Sequence, residues 1–355
     1  MHRSRVVVGM SGGVDSSVAA AILKEKGYEV IGLTMQISAE ASRCCSDADV
    51  KDARRVAKAL DIPHYVISMH EPFQRKVIDY FVSEYEKGRT PNPCAVCNPA
   101  IKFGDLLDKA LALDAQHIAT GHYAIIRKDR KTGRYLLKRG KERGKDQSYF
   151  LARLSQKALS HSLFPVGTYT KPAIREMAEK YGLPVAQKSE SQEACFIPEA
   201  GVVPFIEAQR GGPYPPGPIK NTEGEILGAH RGIIGYTIGQ RKGLGIALGK
   251  PAYVVRIDAA KNTIIVGDDD QLDARSFICS DAHWIAIEKL KEPCEVHARI
   301  RYMHKPAKAM IEPLGGNRVR VTFKQAQRAI TPGQLAVFYR GESVLGSAWI
   351  DEVFQ

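Results

Sequence analysis

No stretch of the 355-residue sequence approaches the roughly 20 consecutive apolar residues of a membrane-spanning helix. The first ten residues are too few and too charged for a signal peptide. The seven cysteines are an odd number scattered along the chain, which argues against the paired disulfide framework of a small secreted protein. We therefore expect a cytoplasmic globular protein without a membrane partner, and nothing in the sequence requires more than a monomer.

A chain of this length is too long for one hydrophobic core, so two or three domains are expected. The first part alternates apolar strands with amphipathic helices, which predicts an α/β domain with a doubly wound parallel sheet and ligands at the carboxyl ends of the strands. The predicted strands are 6–9, 30–35, 64–68 and 117–120, and the predicted helices are 14–26, 48–60, 73–87, 102–113 and 172–181.

The pattern changes after Pro204, where the glycine- and proline-rich segment 211–218 breaks helical periodicity. Residues 228–249 carry seven glycines, which favours either a small domain of tight β-turns or a backbone that approaches RNA closely. From about residue 275 apolar residues recur at every second position, and arginines such as Arg299 occupy the alternate positions. We predict an N-terminal catalytic domain (1–203), a central glycine-rich, β-rich domain (204–274) and a C-terminal antiparallel β-barrel (275–355).

The segment after the first apolar run has the composition of a pyrophosphate-binding loop. Gly12 and Gly13 stand at a strand-to-helix turn, where the backbone can approach a ligand closely. The N–H groups at the start of the next helix attract phosphates, and Ser11 and Ser16 add hydroxyl donors. Asp15 suits a Mg2+ ion that bridges phosphate oxygens. An ordinary glycine-containing turn is the alternative interpretation.

The same loop lacks the Gly-x-x-x-x-Gly-Lys-Ser/Thr spacing of kinases and GTPases, so it supplies no lysine for terminal phosphates. A loop that holds pyrophosphate as a leaving group suits attack at the α-phosphorus, which is adenylation. On residues 9–16 the segment resembles the signature of the ATP pyrophosphatase superfamily, whose members activate carbonyl oxygens as adenylates.

Positive charge is concentrated in one short region. The net charge is +12, and residues 127–145 contain ten lysines or arginines against two carboxylates, a net charge of +8. A solvated hairpin with its turn at 131–134 would explain the run. Beside an adenylating site, however, such a region favours a polyanionic partner, namely nucleic acid.

Two cysteine segments are candidates for reactive thiols. Cys94 and Cys97 form a C-x-x-C within the segment 90–98, whose two prolines we expect to hold the chain extended as a rigid loop. This spacing is ambiguous among redox, zinc and iron–sulfur roles, because no second C-x-x-C completes a zinc ribbon. Cys195 stands in a polar-to-apolar transition. Among the other cysteines, we expect Cys279 and Cys294 to be buried and inert, whereas Cys44 and Cys45 stay undecided.

Several longer segments carry a resemblance that covers the whole chain. They are 9–16, 90–98, 120–123, 146–151, 236–245 and 346–350. On these segments the chain resembles the bacterial tRNA-specific 2-thiouridylase family. The resemblance implies ATP-dependent 2-thiolation of the wobble uridine of tRNA, through adenylation of the C2 oxygen and sulfur transfer from a cysteine persulfide. It also implies a persulfide donor protein as a second partner beside tRNA.

The resemblance further implies roles for individual residues. Cys195 would carry the persulfide and Cys97 would be the partner nucleophile, because persulfide sulfur is passed on when a thiolate or reductant attacks the S–S bond. ATP would be held by Gly9, Met10, Ser11, Gly12, Gly13, Val14, Asp15, Ser16, Met35 and Gly121. The target base, which must leave its stack, would face Asn92, Pro93 and Cys94. The tRNA would also contact His122, Lys145, Asp146, Gln147, Arg301, Tyr302 and Gln334.

Three alternatives stay open from the sequence. Some relatives carry aspartate where this chain has Cys94, and the extra thiol makes Cys94, Cys97 and Cys195 a possible three-ligand iron–sulfur site. The chain could also be another adenylating ligase or amidotransferase, which would not need Cys97 and Cys195. Finally, it could be a tRNA-binding protein without catalytic activity that uses ATP only to fold its loop. The segment 188–191 departs from the more frequent Lys-Asp-Ser opening, so the contacts around Cys195 are not predicted.

Overall fold

The computed structural model describes residues 4–37, 47–189, 194–247 and 249–354. Contacts divide the chain into two compact units. The first consists of Met1–Val77, Cys94–Pro198 and Glu342–Val344, and the second of Ile78–Pro93, Glu199–Gly341 and Leu345–Gln355. Within the described residues, no helix combines the length and the apolar character needed to cross a bilayer.

The helices and strands of the N-terminal half follow the predicted alternation. The α-helices of the described residues are α1 (Val14–Glu25), α2 (Asp47–Ala59), α3 (His70–Phe73), α4 (Asp79–Glu86), α5 (Pro93–Cys97), α6 (Leu106–Ala112), α7 (Gln156–His161), α8 (Lys171–Lys180) and α9 (Val202–Arg210). The first seven strands are β1 (Arg5–Gly9), β2 (Glu29–Gln36), β3 (His64–Ser68), β4 (His117–Ala119), β5 (Ala124–Lys128), β6 (Tyr135–Arg139) and β7 (Ser162–Leu163).

The first unit contains the predicted parallel sheet, with strand order β3-β2-β1-β4-β7. The apolar runs form buried strands: Val6 and Val8, on one face of β1, pack in one cluster with Val18 of α1 and Ile174 of α8, and Val7, on the other face, is also fully buried. The doubly wound fold class is confirmed. The fifth strand, β7, has only two residues and was not predicted from the sequence.

Two predicted helices are interrupted by wider, π-type turns. The helix predicted at 73–87 consists of α3, π-helical turns at Gln74–Ile78 and then α4. The helix predicted at 102–113 begins earlier, as π-helical turns at Asn98–Asp105 that lead into α6. Pro99 lies at the start of these turns and has no N–H to donate to the carbonyl four residues earlier, which disfavours regular α-helical bonding at this point.

The second unit contains two β-structures. Four strands, β8 (Gly217–Lys220), β9 (Ile226–His230), β10 (Tyr253–Asp258) and β11 (Thr263–Gly267), form a sheet of order β10-β11-β8-β9. Six further strands are β12 (Asp273–Trp284), β13 (Cys294–Arg299), β14 (Ala307–Gly315), β15 (Arg318–Arg328), β16 (Leu335–Arg340) and β17 (Ser343–Phe354). Their order is β12-β15-β14-β13-β16-β17, and pairing of β12 with β17 closes the barrel. The predicted C-terminal antiparallel barrel is confirmed.

The alternation in the barrel departs from the prediction at one arginine. Val296 and Ala298 point into the core as expected, but Arg299 is also buried, with 8% of its surface exposed. Strand β13 ends there, and the guanidinium of Arg299 bonds the carbonyl of Tyr302 and lies over its ring, 5.2 Å from the centroid. The expected solvent-facing row of arginines is therefore wrong at this position, because the strand ends and the turn folds back over the side chain.

Candidate functional site

The loop between β1 and α1 has the shape predicted for a phosphate-binding turn. Gly12 has a left-handed φ of 69°, and a Cβ there would lie 2.4 Å from the carbonyl oxygen of Asp49, so this position requires glycine. The hydroxyl of Ser16 accepts a hydrogen bond from the N–H of Ser11 (3.3 Å) and donates to the carbonyl of Gly13 (3.1 Å). These contacts fix the loop. Because Gly13 is the N-cap of α1 and has no side chain, the first N–H groups of α1 suit an anion.

Two other predicted nucleotide-binding residues lie at the same sheet edge. Met35 is the penultimate residue of β2 and is half-buried, near the carboxyl end of the strand beside β1. Gly121 follows β4, and its backbone lies against the first turn of α1. A Cβ on Gly121 would be 2.6 Å from the N atom of Ser16. The structure thus brings Gly121 together with the loop of residues 9–16.

Asp15 is in contact with two residues that were not predicted from the sequence to be functional. The buried phenol of Tyr123 donates a hydrogen bond to Oδ1 of Asp15 (2.8 Å), and the ammonium group of Lys171 pairs with the same oxygen (2.7 Å). Two signals were present in the sequence: Tyr123 ends the motif 120–123, and Lys171 directly precedes the helix-starting Pro172. No feature of the local sequence, however, indicates that both side chains contact Asp15.

The described residues offer little pre-formed metal coordination. Among them no group of three or more His, Cys, Asp or Glu side chains could hold a metal ion. The residues present are nevertheless compatible with Mg2+ binding. Mg2+ is commonly bound by one or two carboxylates together with substrate phosphates, and Asp15 supplies one carboxylate. For an iron–sulfur cluster the three cysteines Cys94, Cys97 and Cys195 do not fit, because they do not form such a group in this structure.

The C-x-x-C segment is helical, not extended as expected. Helix α5 begins at Pro93, a residue whose fixed φ suits the first helical turn, so Cys94 and Cys97 lie on the same side of one turn. The Nδ2 group of the buried Asn98 donates to the carbonyls of Cys94 (3.0 Å) and Phe150 (3.2 Å). This amide links the end of α5 to the segment 146–151. Asn98 was not predicted, and it positions the helix that carries Cys97.

The segment that leads to Cys195 is anchored near the phosphate-binding loop. Lys188 donates to Asp49 (2.7 Å), Asp52 (2.6 Å) and the carbonyl of Gly12 (3.2 Å). On its other side, the ring of Phe196 packs edge-on against Phe73 with centroids 5.6 Å apart. Cys195 itself is half-buried. Residues 190–193 lie outside the described residues, as do Cys44 and Cys45.

The described cysteines differ in their burial. Cys97 and Cys195 both belong to the first unit, and both are half-buried. Cys279 is fully buried as expected, and burial raises the pKa of its thiol well above the ordinary value. Cys294 is only half-buried, so the expectation of a buried thiol is wrong there. It lies at the start of β13, where Arg340 donates to its sulfur at 2.9 Å.

Two residues predicted to contact tRNA have their side chains engaged inside the first unit. The carboxylate of Asp146 is 1% exposed and accepts hydrogen bonds from the backbone of Gly140, both N–H and O–H of Ser148, and Arg139. Gln147 binds the backbone of Tyr123 twice, through its Oε1 (3.0 Å) and its own N–H (2.9 Å). These bonds shape the loop next to Lys145, and the contacts with tRNA stay a prediction.

His122 lies in an aromatic environment. Its ring is 5.9 Å from both Phe103 and Phe164, and Nδ1 is 2.7 Å from the hydroxyl of Thr120. Burial lowers the pKa of His122 well below its ordinary value of 6.5, with a smaller contribution from Lys102. The imidazole is therefore neutral at pH 7 and would approach tRNA as a hydrogen-bonding group, not as a cation.

The depressed pKa of His122 predicts a pH-dependent stability. The unfolded chain binds a proton at about pH 6.5, whereas the folded chain does not until a lower pH, so stability falls as the pH drops below about 6.5. The slope is at most about 1.4 kcal/mol per pH unit for this group. Urea unfolding at pH 7.5 and 5.5 should show a smaller loss for His122→Gln than for the original chain. The exposed His70→Gln serves as the control, and an equal loss in both variants would refute the assignment.

Three further residues predicted to contact tRNA, Arg301, Tyr302 and Gln334, belong to the second unit. The amide of Gln334 donates to the carbonyls of Thr90 (3.0 Å) and Pro91 (3.2 Å), which holds the backbone directly before the buried Asn92. Arg301 follows the end of β13 and donates to the carbonyl of Arg328 (3.1 Å). Gln334 thus has a clear structural role here, in addition to its predicted contact with tRNA.

Three family models match successive parts of the chain. Residues 4–199 match the family described as the tRNA methyl transferase HUP domain, residues 205–268 its PRC-barrel domain, and residues 274–350 the aminomethyltransferase β-barrel domain. The chain is similar to the tRNA-specific 2-thiouridylases of Moorella thermoacetica (51% identity, 98% of this chain and 100% of the relative) and Halothermothrix orenii (50%, 99% and 99%). The enzyme of Acetivibrio thermocellus is 51% identical over 99% of this chain and 100% of its own length.

Proposed function

The chain belongs to the tRNA-specific 2-thiouridylase family, and we propose that it replaces the C2 oxygen of the wobble uridine in tRNA with sulfur by the adenylation route. The observation that carries this proposal is the similarity over the full length to 2-thiouridylases, together with a phosphate-binding loop and both predicted thiols in one unit. ATP, tRNA and a persulfide donor protein are the reactants.

Adenylation makes the C2 oxygen a leaving group. The oxygen of uridine attacks the α-phosphorus of ATP, pyrophosphate departs, and the base oxygen becomes part of an adenylate. The N–H groups at the start of α1, that of Ser16 among them, and the hydroxyl group of Ser11 would bind the phosphates. When Mg2+ is bound, Asp15 is the side chain positioned to ligate it, and the ion would neutralise charge on the phosphate oxygens.

Sulfur transfer then uses two thiols. Cys195 would carry the terminal persulfide sulfur, which bonds to C2 as AMP leaves with the original oxygen. The thiolate of Cys97 attacks the sulfur of Cys195, which breaks the S–S bond to the transferred sulfur and leaves a disulfide between the two cysteines. An external thiol reductant must return this disulfide to two thiols before the next turnover. Iron–sulfur chemistry receives no support from the described residues, because they contain no three-ligand group.

Nucleoside mass analysis tests this function directly. Unmodified tRNA is incubated with the protein, ATP, Mg2+ and a persulfide donor, then digested. We expect a uridine heavier by one sulfur-for-oxygen exchange and one pyrophosphate released for each modified base. An adenylating ligase would release pyrophosphate without this product, and a tRNA-binding protein without catalytic activity would release none. Either result would contradict the proposal.

The basic hairpin formed by β5 and β6 is proposed as a tRNA-binding surface. Its tip is exposed, including Arg127, Lys128, Arg130 and Lys131. The one carboxylate of the turn, Asp129, is used internally, because it accepts bonds from the N–H of Lys131 and the hydroxyl of Thr132, each at 3.0 Å. The turn therefore presents positive charge to an anionic partner such as the phosphate backbone of tRNA.

Removing charge from this hairpin should weaken tRNA binding in a salt-dependent way. For Arg130→Ala with Lys131→Ala, we expect the slope of log affinity against log salt concentration to fall by about one for each phosphate that is no longer neutralised. The control variant removes two exposed lysines from α2, with Lys51→Ala and Lys58→Ala. Filter binding between about 50 and 200 mM salt, where such effects are large, measures the slope. Equal slopes for the two variants would show that the hairpin does not contact tRNA.

The three reactants also indicate where in the cell the reaction takes place. We propose that the protein acts in the cytoplasm as a monomer, where tRNA, ATP and persulfide donor proteins are all present.

The proposal includes the predicted residue roles. Asn92, Pro93 and Cys94 would face the target base, and Lys145, Arg301 and Tyr302 would contact tRNA. Sedimentation of the protein alone and with tRNA would test the stoichiometry.

A further inference from the structure

Asp15, Tyr123 and Lys171 form a cluster that the adenylation route described above does not explain. The ammonium of Lys171 is 2.7 Å from Oδ1 of Asp15 and 6.0 Å from the centre of the Tyr123 ring. The side chain of Lys171 is 12% exposed and that of Asp15 is 29% exposed. A lysine is thus held almost buried beside the first turn of α1, where the phosphates are expected to lie.

Lys171 lies where adenylation requires a positive charge. Pyrophosphate leaves with more negative charge than it carries within ATP, and the loop of residues 9–16 contains no lysine to stabilise that charge. Lys171 is the first residue of α8, which follows β7 of the parallel sheet and packs against α1 in one hydrophobic cluster. The helix therefore delivers the cation that the loop itself lacks.

We propose that Lys171 is a phosphate-binding residue that stabilises the departing pyrophosphate, and that Asp15 holds it in place until Mg2+ competes for the carboxylate. In this structure the two charges neutralise one another. With Mg2+ present, Asp15 would be the residue to hold it, and the ammonium of Lys171 would bind phosphate oxygens instead, while Tyr123 would still donate to the Asp15 carboxylate. This assignment rests on the proposed adenylation, because it concerns the leaving group of that step.

Binding of inorganic pyrophosphate to the full chain tests the proposal without requiring turnover. By titration calorimetry with Mg2+ at low salt, Lys171→Met should bind pyrophosphate about tenfold more weakly than the original chain, and Lys171→Arg should retain most of the affinity. Lys180→Met, at the exposed end of the same helix, should bind normally. Thermal unfolding of each variant checks that it is folded. If Lys171→Met does not fold, the pyrophosphate affinity of Lys171→Arg still shows whether a positive charge at this position is sufficient.

A second variant separates phosphate binding from a purely structural ion pair. Without Mg2+, Asp15→Asn removes the carboxylate that neutralises Lys171, so this variant should bind pyrophosphate about tenfold more tightly than the original chain. With Mg2+, the same variant should bind more weakly, because a ligand of the ion is removed. Because loss of the Asp15 carboxylate also removes its own repulsion of pyrophosphate, Asp15→Asn is compared in the original chain and in Lys171→Met. If Lys171 binds phosphate, the tightening is smaller in Lys171→Met, and equal tightening would show that Lys171 only stabilises Asp15.

Two results would overturn the proposal: equal pyrophosphate affinity of Lys171→Met and the original chain, or no tightening by Asp15→Asn in the absence of Mg2+. Failure of the proposed function looks different. If the protein does not thiolate tRNA, the mass analysis gives no heavier uridine, whereas the pyrophosphate isotherms still report on Lys171.

Discussion

Replacing Cys195 with serine is expected to lower 2-thiolation of tRNA by about 1000-fold or more, while ATP-dependent release of pyrophosphate in a single turnover continues. The reason is that adenylation of the base needs no thiol, whereas a serine hydroxyl cannot carry a persulfide. The measurement uses a donor loaded with radioactive sulfur and follows the label on the protein and on tRNA. The Cys195→Ser protein should acquire no label.

Cys97→Ser should fail at a later step. Cys195 would still accept labelled sulfur and bond it to C2, but no thiolate would attack Cys195 to release the product. Label should therefore accumulate in a covalent protein–tRNA adduct, and no released 2-thiouridine should form. Cys294→Ser is the matched control, because this thiol is also half-buried but lies in the second unit. Full thiolation by either the Cys97 or the Cys195 variant would rule out the two-thiol route.

The features that could be predicted from sequence are those determined locally. The glycine pair, the short valine strand and the amphipathic helix behind it define the phosphate-binding loop within about twenty residues, and period-two alternation defined the barrel strands. The ends of helices are harder to predict from sequence than these features. Pro93 illustrates the reason, because proline favours both an extended segment and the first turn of a helix, and the structure contains the helix.

The contacts that could not be predicted join residues far apart in the chain. Asp15 is separated by 108 residues from Tyr123 and by 156 residues from Lys171, and Lys188 reaches Gly12 across 176 residues. No composition or spacing within one segment encodes such pairs, since they depend on the order of strands in the sheet. Strand β7 could not be foreseen for the same reason: two residues are too few to show a period.

Gly121 shows how the predicted loop and these long-range contacts depend on each other. Its backbone is outside the left-handed region, so alanine would be acceptable there on conformational grounds alone. The obstacle is steric, because a Cβ would lie 2.6 Å from the backbone at both Asp15 and Ser16 and 2.9 Å from Cβ of Asp15. The backbone atoms belong to the first turn of α1, which cannot move without disturbing the bonds that hold the phosphate-binding loop.

Gly121→Ala should therefore destabilise the protein by about 1–3 kcal/mol and weaken binding of a non-hydrolysable ATP analogue by about 100-fold. Urea unfolding and titration calorimetry measure the two effects. Gly144→Ala is the control in the same unit, because its nearest neighbour would be the Glu142 side chain at 3.9 Å and its φ is not left-handed. We expect that variant to change both quantities little. If Gly121→Ala bound the analogue as well as Gly144→Ala, the strand end after β4 would not be part of the nucleotide site.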